Sequence, residues 1–184
     1  MHNIPKPLIA VDAMGGDVGP SAVVPGAIAA ARASGIGLLL VGDKDQIQAE
    51  LDAFPASELA DISIEVVHTT QVVEMDEKPS DVLRRKKDSS IQVACRLVKE
   101  GRAHGVVSAG NSGATVACGM FILGRIQGVD RPALATIIPA EKRPIVLIDV
   151  GANVDCKPYH LFQFGLMAEV FVRDVLERPE PSVG

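Results

Sequence analysis

The chain has no tryptophan, one tyrosine and only 3% aromatic residues, which removes the stacking platforms that hold single-stranded nucleic acid. Positive charge is also short: 18 Lys and Arg stand against 23 Asp and Glu, a formal net charge of −5 with a pI near 5.3. A nucleic-acid partner calls for a basic face, so both scarcities argue against one. The three cysteines (Cys95, Cys118 and Cys156) form no CxxC pair and cannot all be bridged. That is the pattern of reduced thiols in a cytoplasmic protein. No apolar run reaches transmembrane length, and Met1-His2-Asn3-Ile4-Pro5-Lys6-Pro7 lacks the long apolar core of a secretory signal. The pattern G-x-x-x-x-G-K-[ST] is absent, which excludes a P-loop. Gly35-Ile36-Gly37 precedes its strand and has no third glycine, so a dinucleotide fingerprint fails as well. The four histidines, His2, His68, His104 and His160, show no metal-ligand spacing and read as surface or packing residues.

What remains is an ordinary globular composition, 47% hydrophobic and 22% charged over 184 residues, enough chain for a substantial core. Apolar runs at 8–13, 38–41 and 62–67 predict strands, as do those at 106–109, 133–138 and 145–150. Helices are predicted from Pro20 or Ser21 to Ala33, where Gly35 breaks the run, and from Gly42-Asp43 through Leu51. Others begin near Ser89, Ser112 and Pro158. Strands alternating with helices of this length predict an α/β fold of three layers, a largely parallel sheet with helices on both faces. Residues 68–88 hold no apolar run. Within them Arg84-Arg85-Lys86-Lys87 is either a solvated helix face or an anion-facing loop, and Asp88-Ser89-Ser90 beside it resembles a helix N-cap. Residues 178–184 read as a linker or the start of a strand.

Three turns rich in small residues follow apolar runs. Ser108-Ala109-Gly110-Asn111-Ser112-Gly113-Ala114 lies between a strand-like and a helix-like segment. The other two are Asp12-Ala13-Met14-Gly15-Gly16-Asp17 and Asp149-Val150-Gly151-Ala152-Asn153-Val154-Asp155. A strand, a glycine turn and a helix start in that order make an anion site, because the first helical N–H groups point outward. In a parallel sheet such turns collect at the carboxyl ends of strands. Gly110-Asn111-Ser112-Gly113-Ala114 is nearly a nucleophile elbow, but Ala114 replaces the last glycine and His160 is the sole downstream histidine. Ser112 therefore reads as a capping or ligand-contacting residue. Asp12, Asp17, Asp149 and Asp155 are either cation ligands beside a phosphate or loop-fixing acceptors. Cys118 and Phe121 fall at helical spacing and are expected in the core.

Val11 to Asp17 followed by Pro20, the 108–114 turn, Arg131-Pro132-Ala133-Leu134-Ala135, Asp149 to Cys156, Gln163-Phe164 and the terminal 178–184 stretch together resemble the PlsX family of bacterial phosphate acyltransferases. Ser112 stands where that family commonly has threonine. The resemblance implies that residues 1–184 are the N-terminal portion of a longer α/β enzyme, inactive as a fragment. It also implies a fold like the isocitrate and isopropylmalate dehydrogenases and the phosphotransacetylases. The implied activity moves a fatty acyl group from acyl carrier protein to inorganic phosphate, giving acyl phosphate for phospholipid synthesis. The enzyme would be a homodimer, cytoplasmic, with room for peripheral membrane association and with no cofactor and no metal. On this reading Asn111, Asn153, Asp149 and Asp12 are candidates for catalysis. Gly110, Ser112, Gly113, Lys86 and Ser89 are candidates for phosphate, while Gly15, Gly16, Asp17 and Asp155 shape the site. Two alternatives stay open: a phosphate-binding regulatory domain without turnover, and a metal-dependent dehydrogenase of the same fold.

Overall fold

A strand covered on both faces needs an unbroken apolar run, and Gly37–Gly42 (GLLLVG) is buried at every position. It lies near the middle of the first of two compact units, which meet at residues 124 and 125. The computed structural model describes residues 6–184, so most of the N-terminal stretch read above, Met1 to Pro5, lies outside the described residues. In the first unit, strands β1 (Leu8–Asp12), β2 (Gly37–Gly42), β3 (Ile64–His68) and β4 (Gly105–Ser108) form one sheet in the order β3-β2-β1-β4. Every pairing is parallel.

Alternation along the strands divides the core into two faces. Val11, Leu38 and Leu40 pack against Val24 and Ile28 of α1 (Pro20–Ser34) and Ile47 and Leu51 of α2 (Lys44–Asp52). Ala10, Leu39 and Val41 point the other way, onto Ala94 and Leu97 of α5 (Ser90–Lys99). Three layers result, with helices on both faces. Local chemistry sets the helix ends. Pro20 occupies the first turn of α1, and Gly35 closes it at φ +66° with its N–H on Ala31 O. The Asp43 carboxylate caps α2 by accepting the Gln46 N–H at 3.0 Å. Two short helices, α3 (Ala56–Leu59) and α4 (Pro79–Arg85), flank β3 on either side in sequence. A groove of about 360 Å³ lies beside β4, walled by Val11, Val23, Ala27, Ile36 and Val107.

The structure departs from expectation in four places. Residues 135–138 and 145–148 do not extend the parallel sheet: β5 (Ala135–Ile138) and β6 (Ile145–Ile148) pair antiparallel as a separate hairpin in the second unit. The segment 68–88 is not bare loop, because α4 starts at Pro79 and buries Val82 completely. β3 starts at Ile64, two residues after the expected Ile62, with Ile62 packed at the rim of the core. Phe121 is 65% exposed. The helix α6 (Ser112–Cys118) gives way to a π-helical turn, Gly119–Leu123. That turn changes the angular step, and Ile122 takes the inward place beside Ile91, Cys95 and Cys118. Cys118 itself is fully buried as expected. In the second unit α7 (Pro158–Asp174) follows the hairpin and packs on β6. Among the described residues no helix is long and apolar enough to cross a membrane.

Candidate functional site

β1 and β4 are paired in parallel with Asp12 opposite Ser108, so two of the three glycine turns leave the sheet side by side at its carboxyl edge. The register joins them chemically. Ser108 Oγ donates to Asp12 Oδ2 at 2.7 Å and accepts the Gly110 N–H at 3.0 Å. Asp12 is only 4% exposed, and its other carboxylate oxygen has no hydrogen-bond partner among the described residues. Gly15 explains itself here. A Cβ on it would lie 2.8 Å from Gly110 N and 3.0 Å from Asp12 Oδ2, so the two turns touch backbone to backbone only because it is glycine. Gly16 sits at φ +85° with its backbone against Ala109. Asp17 is exposed. Asp12, Ser90, Ser108, Gly110 and Thr115 surround a cavity of about 10 Å³, room for one water molecule.

The second turn opens α6, and Asn111 organises it. Its Oδ1 accepts the Ala114 N–H at 2.9 Å, a side-chain cap. Its Nδ2 donates to the carbonyls of Glu74, Met75 and Glu77 at 3.2, 3.0 and 2.9 Å. The amide therefore fastens residues 74–77 across the turn. The first backbone bond of the helix runs from Thr115 N–H to Asn111 O. With Ala114 N–H on the cap, the N–H groups of exposed Ser112 and Gly113 are left at the helix start. Gly113 has a packing reason as well, since a Cβ there would lie 2.9 Å from Pro79 Cγ.

Lys86 and Ser89 are placed differently from the anion-facing reading. Lys86 Nζ is 2.7 Å from Glu77 Oε2 and also donates to Val72 O, so its ammonium serves the same 72–77 strap. Its hydrogen bond, followed by the Glu74 N–H, holds the Glu77 carboxyl below the usual range. Ser89 is the N-cap position of α5, yet its hydroxyl is buried and bonds to nothing among the described residues. The neighbouring carboxylate does more: Asp88 accepts from Thr70 Oγ1 at 2.6 Å and Thr70 N at 2.8 Å, which lowers its pKa. Arg84, Arg85 and Lys87 are exposed, as a solvated helix face would be.

The third turn belongs to the second unit. Asp149 Oδ1 accepts the N–H groups of Leu134 and Ala152, and Oδ2 accepts the Asn153 N–H at 2.7 Å. Asn153 Nδ2 reaches both Asp149 Oδ2 and Pro132 O. Burial pushes the Asp149 carboxyl up, but these donors outweigh it and leave the pKa lowered. Both side chains are thus engaged in tying the 150–153 loop to the chain before β5. Asp155 is exposed, and its carbonyl takes Arg131 Nη1. His160 is buried: Nδ1 accepts the Lys157 N–H, and Nε2 lies 3.0 Å from Asp130 Oδ2, so it anchors the start of α7. Ser108 was not among the sequence-derived candidates. Its signal is the β1–β4 register, which no local pattern carries.

A sequence profile described as "Fatty acid synthesis protein" matches residues 8–184. The chain belongs to that family. It is 68% identical over 178 residues to a protein named phosphate acyltransferase from Oleidesulfovibrio alaskensis, covering 97% of this chain and 50% of that one. Proteins of the same name from Nitratidesulfovibrio vulgaris and Lawsonia intracellularis are 65% and 62% identical, each over 96% of this chain and 50% of their own length. The chain spans about half the length of the curated relatives it matches. Among solved structures it is similar to the EutD phosphotransacetylase from Staphylococcus aureus. The TM-score is 0.63 at 16% identity, over 91% of this chain and 53% of that one. That likeness concerns the fold alone.

Proposed function

We propose that the full-length protein transfers a fatty acyl group from acyl carrier protein to inorganic phosphate, giving acyl phosphate for phospholipid synthesis. The observation that carries this reading is the 62–68% identity, over 96–97% of this chain, to proteins named phosphate acyltransferase. Phosphate is held at the start of α6 by the Ser112 and Gly113 N–H groups and the Ser112 hydroxyl, where an anion is favoured. A phosphate oxygen then attacks the thioester carbonyl carbon, the C–S bond breaks, and the phosphate proton leaves with the thiol. Held in place, phosphate needs no acylated side chain, and among the described residues no base is hydrogen-bonded to the Ser112 hydroxyl. Asn111 acts by holding the turn, while Asp149, Asn153 and Asp155 shape the loop of the second unit. The reading extends to an isocitrate and isopropylmalate dehydrogenase-like architecture and to a cytoplasmic homodimer with peripheral membrane contact.

The test is to mix full-length protein with palmitoyl-acyl carrier protein and phosphate and to assay acyl phosphate. Its formation, with no acyl adduct on protein quenched before phosphate is added, is expected. Phosphate binding without turnover would turn the reading toward a regulatory domain.

A further inference from the structure

We infer that Ser108 is a positioning residue for the anion turn, acting as the middle link of a chain from Asp12 through the Ser108 hydroxyl to the Gly110 N–H. The inference rests on the proposed phosphate site at the start of α6 and deepens it. A hydroxyl carries one proton and two lone pairs. At 2.7 Å from Asp12 Oδ2, Ser108 spends the proton on the carboxylate, and its lone pairs are turned to the Gly110 N–H at 3.0 Å. The bond to a carboxylate is the stronger kind, and donation polarises the oxygen toward the next donor.

Two consequences follow for the turn. Gly110 N–H points inward and is not itself an anion ligand, contrary to what the glycine pattern implies. The outward N–H groups begin later in the turn, and the fixed direction of Gly110 sets where they point. The arrangement is confined on its far side by Gly15, whose backbone lies against Gly110. It is seated on Asp12, buried to 4% exposure. A serine whose only role is to fill the strand end needs neither contact.

The experiment compares Ser108→Ala, Ser108→Thr, Asp12→Asn and the Ser108→Ala/Asp12→Asn double variant in full-length protein. Initial rates are measured against phosphate and against acyl carrier protein substrate separately, with thermal unfolding recorded for each variant. Ser108→Ala is expected to raise the phosphate KM about tenfold, the size of one lost hydrogen bond. The KM for the acyl substrate should stay within about twofold. Ser108→Thr, which keeps the hydroxyl, should restore the phosphate KM. Because both residues act through one chain, the double variant should be no worse than the more damaged single variant. A folded Ser108→Ala with unchanged phosphate KM overturns the inference, and so does a double variant whose losses multiply. If wild-type protein neither forms acyl phosphate nor binds inorganic phosphate in a calorimetric titration, the functional reading itself fails. Wild-type turnover with an indifferent Ser108→Ala leaves that reading standing and removes only the positioning role.

Discussion

Replacing Asn111 with alanine removes two kinds of contact at once, and their sizes can be separated. The cap on Ala114 N–H is worth about 1 kcal/mol. The amide has two hydrogens for the three carbonyls of Glu74, Met75 and Glu77, so at most two full hydrogen bonds are lost. Each is worth about 1 kcal/mol net. Glu74 and Met75 are exposed and their carbonyls can turn to water, which trims the second part. Asn111→Ala should therefore cost about 2 kcal/mol. Asn111→Ser keeps a capping oxygen and should cost about 1 kcal/mol less. Asn111→Asp keeps the cap as well, yet loses the donors and sets a carboxylate against three carbonyls, so it should be no better than alanine. Urea unfolding reads all three: with a slope of about 2 kcal/mol/M, 2 kcal/mol moves the midpoint by about 1 M. Limited proteolysis should in parallel find the 72–78 strap cut faster in the alanine and aspartate variants. An Asn111→Ala midpoint within about 0.2 M of wild type, or an aspartate variant as stable as wild type, would refute the strap argument.

Gly15→Ala should destabilise by roughly 1–3 kcal/mol, because its Cβ meets backbone at 2.8 Å and the two turns must part. Gly26→Ala in α1, where nothing lies within 4 Å, should instead stabilise by about 0.5–1 kcal/mol. Thermal melts that fail to give opposite signs would count against the described contact. Glu77 and Asp88 both have lowered pKa values, the first from its bond to Lys86 and the second from its bond to Thr70. Each carboxylate thus contributes stability that is present above the unfolded value near 4 and is lost as pH falls through the lower folded value. Glu77→Gln and Asp88→Asn should be less stable than wild type at pH 6, with the gap closing below pH ~4. Parallel urea midpoints across that range would contradict the Glu77–Lys86 ion pair and the Thr70–Asp88 hydrogen bonds. Cys156 is exposed whereas Cys95 and Cys118 are buried together, and the bond to Cys95 with burial pushes the Cys118 thiol up. A thiol reagent should find one fast cysteine in the native protein and the other two only on unfolding; three fast thiols would be the contrary result.

The elements most legible in the sequence were those fixed by short-range chemistry. The apolar run at 38–41 announced a strand, which the structure extends to Gly37–Gly42, and Pro20 with Gly35 bracketed α1 to within a residue. Apolar runs at β5 and β6 looked the same as those of the parallel strands. The deciding signal was the link between them: six residues, Pro139 to Pro144, cannot carry the crossover that parallel strands require. α4 escaped because Val82 and Leu83 are too few to show a helical period among charged neighbours. The site divided in the same way. The helix start after the 108–114 turn follows from local pattern, but the capping side chain is Asn111, one residue before the Ser112 read as a capping or ligand-contacting residue. The capture of Lys86 by Glu77, the contact of Gly113 with Pro79, and the Asp12–Ser108 register depend on which strands and loops become neighbours. No window of the sequence contains that information.

β4 contributes Ser108 to the candidate site, yet among the described residues it is the outermost strand of its sheet, paired with β1 alone. Val107 is 57% exposed beside the apolar groove under α1. The polar groups along its free side are a template on which any extended segment can add. Whatever covers that margin therefore also bears on Ser108, one residue beyond Val107, and through it on the 108–114 turn. Sheet closure and the geometry of that turn are then not independent properties of this fold. A graft or fusion laid along β4 is expected to alter the Ser108–Gly110 contact without touching the turn itself.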